Sequence, residues 1–236
     1  MASFSALKEE CFEANIQLEK LNLVFFTFGN VSAVDRDEGV FAIKPSGVSY
    51  AKLKPADIVI VDFENKVVEG RLRPSSDTKT HSFLYRSWES IGGVSHTHST
   101  YSVAWAQALK DIPILGTTHA DHLVSDVPCA PPMANELIAE DYEHMTGQQI
   151  IDCFQSRNLS YEEVEMVLIG SHGPFTWGKD ASTAVYNSKV LEEVARMAYL
   201  SLQINPDVHR MKDALIAKHY ERKHGSNAYY GQETDD

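Results

Sequence analysis

The chain has 236 residues, 43% of them hydrophobic, which suits one sizeable core and argues against disorder. Lys and Arg number 21 against 33 Asp and Glu, and a net charge of -12 repels nucleic-acid backbones and anionic membrane surfaces. Cys11, Cys129 and Cys153 lie far apart with no C-x-x-C pair, so they read as buried free thiols in a reducing cytosol, not as disulfides or a zinc site.

The opening MASFSALKEECFEA has no basic start followed by an apolar run, which argues against a signal peptide. No stretch approaches the roughly 20 apolar residues of a membrane span, so a soluble cytoplasmic protein is expected. Leu7, Cys11, Ala14 and Leu18 recur at helical spacing and predict a helix over about Ser5 to Lys20. Val40–Lys44 alternates like a strand, Asp57–Asp62 is a short apolar strand, and Glu64-Asn65 turns into another over Lys66–Glu69. A helix carrying Phe83, Leu84 and Trp88 follows Asp77, then a strand over Ile91–Ser99 and a helix over Tyr101–Leu109. Pro113 to Pro132 reads as irregular. Two helices are predicted near Asn135–His144 and Gly147–Arg157, then a strand over Val164–Gly170. Asp180 is a candidate N-cap for a helix reaching about Ile204, and a last helix is expected over Val208–Lys223. The alternation of strands and helices, without repeats or linkers, predicts one α/β domain over residues 1–236.

Ser95-His96-Thr97-His98 is the sharpest local signal, because residues i and i+2 of a strand share a face and could grip one ion. His172 follows an apolar stretch and reads either as a third ligand or as a loop histidine bonded to backbone. Asp77 reads equally as a carboxylate ligand or as a helix N-cap. Three neutral imidazoles and a carboxylate would form a nitrogen/oxygen set suited to zinc or a related divalent ion. The turns at Gly29-Asn30, Ser46-Gly47 and Ser75-Ser76 expose small polar groups able to cradle phosphate, and Lys44 adds a charge beside one of them. Each alone is an ordinary turn. No nucleotide-binding glycine loop is present. Asp121, between His119 and His122, reads as an acid/base residue or as part of another ligand set. Tyr229-Tyr230 reads first as a packing anchor.

Taken in order, Thr27-Phe28-Gly29-Asn30-Val31-Ser32, Ile43-Lys44-Pro45-Ser46-Gly47-Val48, Pro74-Ser75-Ser76-Asp77-Thr78, His96-Thr97-His98-Ser99, Gly116-Thr117-Thr118-His119-Ala120-Asp121, His172-Gly173-Pro174-Phe175 and Ala228-Tyr229-Tyr230-Gly231-Gln232 closely resemble the L-ribulose-5-phosphate 4-epimerase family of the class II aldolase/epimerase superfamily. The resemblance runs from about residue 5 to 232 and implies an α/β domain with a central, mainly antiparallel β-sheet flanked by helices. It implies zinc, replaceable by Mn2+ or Co2+, on Asp77, His96, His98 and His172. It implies a phosphorylated ketopentose held by Gly29, Asn30, Lys44, Ser46, Gly47, Ser75 and Ser76, with Thr117, Glu143, His219 and Arg222 in or near the site. Asp121 and Tyr230 match an acid/base pair supplied by a neighbouring subunit of a four-fold homotetramer. The implied reaction interconverts L-ribulose 5-phosphate and D-xylulose 5-phosphate by retro-aldol cleavage and re-addition at C3–C4. Two alternatives are a sugar-phosphate aldolase of the same superfamily and a non-catalytic interaction module like the adducin head. Related aldolases carry Glu at the place of Asp77, and the adducin head lacks the metal site, so both residue sets favour the epimerase.

Overall fold

The computed structural model describes residues 4–225 and 228–229. Among the described residues eight strands form one sheet: β1 (Asn30–Asp35), β2 (Val40–Ile43), β3 (Val59–Asp62), β4 (Val67–Glu69), β5 (Gly93–His96), β6 (Cys129–Ala130), β7 (Met166–Ile169) and β8 (Pro174–Gly178). Their spatial order is β4-β3-β2-β1-β5-β8-β7-β6, antiparallel throughout except for the β6–β7 pair. The helices are α1 (Ser5–Lys20), α2 (Thr78–Ser87), α3 (Thr100–Gln107), α4 (Thr117–Ala120), α5 (Asn135–Ile138), α6 (Tyr142–Ser156), α7 (Ala181–Ile204) and α8 (Asp213–His224). This is the mainly antiparallel, helix-flanked sheet that the resemblance implies.

Side-chain alternation divides the core. Val31, Ala33, Ala42 and Ile60 pack with Cys11, Ala14 and Leu18 of α1 and with Ala181 and Val185 of α7. Phe41, Ile43, Val59 and Val61 face the larger cluster with Leu84, Tyr85 and Trp88, which continues to Phe154 and Trp177. The three cysteines are buried and free.

Three strands, β1, β6 and β8, are not predicted from the sequence. Ser32 alternates with Val31 and Ala33 in β1, and Thr176 with Phe175 and Trp177 in β8, but these polar residues are buried on side-chain partners, so neither β1 nor β8 has the exposed polar face of a half-buried strand. The predicted helix over Asn135–His144 stops at Ile138, and α6 begins at Tyr142 and runs straight through Gly147. A Cβ at Gly147 would lie 2.7 Å from Phe83 Cβ, so this glycine is a contact point between α2 and α6, not a break. The stretch read as irregular contains α4 and β6. The last helix starts at Asp213, five residues after Val208. Asp180 caps α7 as expected, its Oδ1 accepting from Thr183 N at 2.6 Å.

Candidate active site

His96 is the last residue of β5, and His98 lies two residues on, before α3, with Thr97 N still 3.4 Å from Pro174 O of the neighbouring strand. The i, i+2 spacing leaves both rings on one side. Their Nε2 atoms stand 3.1 Å apart. His172 arrives from the tight β7–β8 connection, where Ser171 has φ 63°. One nitrogen from each of His96, His98 and His172 falls within 4.8 Å of the other two.

His96 Nδ1 donates to Pro174 O at 2.8 Å, which leaves Nε2 as a lone pair toward the cluster. Burial pushes His98 down to about 4 and His172 down to about 3, with the field of His96 adding to it and Asp77 opposing. Both rings are thus neutral near pH 7, the form that binds a metal. Metal–nitrogen bonds of about 2.1 Å space tetrahedral ligands about 3.4 Å apart, close to the His96–His98 separation. The donor set fits a divalent ion.

Asp77 lines the same cleft as the three histidines but is not among the residues whose ligand atoms fall within 4.8 Å of one another. Its Oδ2 accepts from Asn30 Nδ2 at 2.6 Å, and Ser75 Oγ lies at 3.5 Å. Its side chain makes no cap bond to α2, although the residue occupies the N-cap position. Burial pushes the Asp77 carboxyl up, but His96, His81 and the Asn30 amide outweigh it and hold the group below the ordinary carboxylate value.

Gly29, Asn30, Lys44, Ser46, Gly47, Ser75, Ser76 and Glu143 line a cleft of about 380 Å³ together with Asp77, His96, His98 and His172. Backbone bonds lace two of the turns together: Ser46 N donates to Arg73 O at 2.9 Å and Ser75 N to Lys44 O at 3.0 Å. Gly29 has φ 76°, and a Cβ there would lie 2.8 Å from His96 O, so the close approach of this turn to the histidine strand requires glycine. Lys44 is 2% exposed, and its ammonium lies 4.8 Å from the centre of the Tyr50 ring. Burial lowers Lys44 to about 8, with Asp77 pulling the other way. Asn30 Oδ1 is buried and, among the described residues, has no hydrogen-bond partner. An orphaned acceptor in the same cleft as polar turns and a lysine charged at neutral pH suits a hydroxylated, anionic ligand.

Thr117, Asp121, His219 and Arg222 do not line this cleft. They meet where α4 packs on α8. Asp121 Oδ1 accepts from His219 Nδ1 at 2.8 Å, and Arg222 Nη2 reaches both carboxylate oxygens at 2.8 Å. Burial pushes the Asp121 carboxyl up, but Arg222, His219 and Lys223 together hold it below its ordinary value, so it is an ionised acceptor. Tyr230 lies outside the described residues.

Sequence reasoning missed Tyr142, which lines the cleft with its hydroxyl 3.2 Å from His172 Nδ1. It also missed His81, fully buried one turn after Asp77, whose Nδ1 is 2.7 Å from Ser32 Oγ. Position 81 carried a helical pattern signal only, whereas Tyr142 adjoins Glu143, which the resemblance had singled out.

Residues 9–199 match the family described as Class II Aldolase and Adducin N-terminal domain. The L-ribulose-5-phosphate 4-epimerases UlaF of Salmonella paratyphi A and Salmonella typhi are each 52% identical over 231 residues, covering 96% of this chain and 98% of theirs. Among solved structures, an L-fuculose 1-phosphate aldolase superposes with a TM-score of 0.75 at 26% identity, covering 94% of this chain and 97% of its own. Alike in sequence and in fold over most of its length, this chain belongs to the class II aldolase family, in the branch of the L-ribulose-5-phosphate 4-epimerases.

Proposed function

We propose that this protein interconverts L-ribulose 5-phosphate and D-xylulose 5-phosphate in the cleft that joins His96, His98 and His172 to the polar turns. The observation that carries the reading is this juxtaposition, in one cleft, of three converging imidazole nitrogens and the polar turns beside Lys44. The relatives' name adds the substrate.

The two sugars differ at C4, whose hydrogen has no adjacent carbonyl and is not acidic. A retro-aldol route avoids abstracting it. A base takes the proton of the C4 hydroxyl, and the C3–C4 bond breaks. Its electron pair passes to the C2–C3 fragment, giving the enediolate of dihydroxyacetone beside glycolaldehyde phosphate. The aldehyde presents its other face, the bond re-forms, and the C4 oxygen recovers a proton. A divalent ion on the three imidazoles, zinc foremost, would supply Lewis-acid stabilisation for the anionic fragment. Lys44, Ser46, Gly47, Ser75 and Ser76 hold the phosphate so that the aldehyde turns without escaping. Asn30 Oδ1 accepts from a substrate hydroxyl, and Asp77 stays ionised to complete the charge of the metal site.

Proton transfer at the C4 oxygen falls to Asp121 and Tyr230. Within one chain Asp121 sits at the α4–α8 cluster, away from the cleft, which supports an assembly in which a neighbouring copy delivers it with Thr117, His219 and Arg222. A homotetramer with four-fold symmetry does so for every site. The protein acts in the cytoplasm.

The test is turnover of L-ribulose 5-phosphate in D2O, followed by NMR. D-Xylulose 5-phosphate carrying its original hydrogen at C4 supports the route. Deuterium at C4 contradicts the retro-aldol step, and accumulation of free glycolaldehyde phosphate marks an aldolase instead.

A further inference from the structure

The segment that carries His96 and His98 is held at both ends by one face of α7. At its start, Ser95 precedes His96, and its hydroxyl is buried. Ser188 Oγ of α7 stands 2.9 Å from Ser95 Oγ and 2.7 Å from Thr176 Oγ1, and Thr176 in turn donates to Ala184 O at 2.8 Å. At the far end, α3 begins two residues after His98. The first turn of a helix leaves backbone N–H groups without intrahelical partners. Ser99 occupies the N-cap position but makes no side-chain cap bond, and its hydroxyl lies 3.3 Å from Thr97 Oγ1. Glu192 takes over the capping from another helix. Its Oε1 accepts from Tyr101 N at 2.9 Å, and its Oε2 from Ser102 N at 2.9 Å and Ser102 Oγ at 2.8 Å.

Ser188 and Glu192 are four residues apart on α7 and so share a face. Between their two anchor points lies the segment that bears both imidazoles. The α3 side is further tied by Trp105 Nε1, which donates to Ala195 O at 2.9 Å. We propose that Ser188 and Glu192 are positioning residues for the metal centre, clamping the two ends of the His96–His98 segment so that both rings are set in ligand geometry. The inference rests on the metal reading of the three histidines. A carboxylate is required at position 192 because three donors converge on it. A glutamine there would place its NH2 against at least one of them.

The test is metal affinity in the full-length, metal-stripped protein, measured with Zn2+ or Co2+ against a chromophoric chelator. Glu192→Gln is expected to weaken binding about 10-fold or more and to change the visible spectrum of the Co2+ form. Ser188→Ala should weaken it less, and it stands as the independent arm if Glu192→Gln does not fold. Glu193→Gln is the control, since Glu193 pairs with Lys189 at 2.6 Å on the same helix and should leave affinity unchanged. Wild-type affinity and an unaltered Co2+ spectrum in both variants, even with a lowered Tm, would overturn the clamp and leave the metal site standing. A wild-type protein that binds no ion, or a His96→Asn variant that binds as tightly as wild type, would instead overturn the metal reading and the clamp with it.

Discussion

Asn30 Nδ2 donates to Asp77 Oδ2 at 2.6 Å, joining the start of β1 to the residue before α2. A hydrogen bond to an ionised group is worth about 2 kcal/mol, so Asn30→Ala should lower kcat/KM by about 30-fold. Asn30→Asp should be worse, because two carboxylates would then face each other and drive one to hold a proton. Steady-state kinetics of the two variants check the order. An Asn30→Asp enzyme more active than Asn30→Ala would contradict it.

Lys44, lowered to about 8 by burial, is charged below that pH and neutral above it. Affinity for the phosphate should fall as pH rises through about 8. Kinetics from pH 6.5 to 9.5 should show KM climbing in the alkaline limb for the wild type. In Lys44→Met, KM should be raised by about 10-fold or more at neutral pH, with the Lys44 limb gone. An unchanged KM in the variant would remove Lys44 from the phosphate site.

His119 is 4% exposed, and burial lowers it to about 4. The unfolded chain takes up this proton near pH 6.5 and the folded chain only near 4, so the unfolded state binds more protons between those values. The stability contribution is complete above about pH 6.5 and lost as pH falls toward 4, up to about 3 kcal/mol at acid pH. His119→Gln should flatten the fall of Tm with pH across this window in metal-free protein. An equally steep fall in the variant would assign the acid sensitivity elsewhere.

Asp121 and the histidine cleft are separate within one chain. Asp121→Asn and His96→Asn should each reduce kcat by at least about 100-fold when assayed alone. Mixing the two variants under conditions that allow subunit exchange should restore a fraction of wild-type activity, because some sites then pair an intact cleft with an intact Asp121. No recovery after demonstrated exchange would place both residues in the same subunit's site.

Much of this site was legible because its parts are local. The Ser46-Gly47 and Ser75-Ser76 turns announce themselves by composition, and Asp180 caps α7 through a residue three positions on. His96 and His98 were legible as a pair from their i, i+2 spacing, and their Nε2 atoms stand 3.1 Å apart. β1 and β8 were illegible because each carries a buried polar residue, Ser32 and Thr176, whose partner lies elsewhere in the chain. Tyr142 and Glu192 were illegible because their partners are distant in the chain. Tyr142 meets His172 across 30 positions, and Glu192 meets Tyr101 across 91.

The most direct measurement is conversion of L-ribulose 5-phosphate by purified protein before chelation, after chelation, and after Zn2+ is restored, with both D-xylulose 5-phosphate and free glycolaldehyde phosphate assayed. An epimerase built on His96, His98 and His172 forms D-xylulose 5-phosphate with little free aldehyde, loses this activity to the chelator and regains it with the metal. Conversion that survives complete removal of divalent metal, or no conversion by zinc-loaded protein, would contradict it.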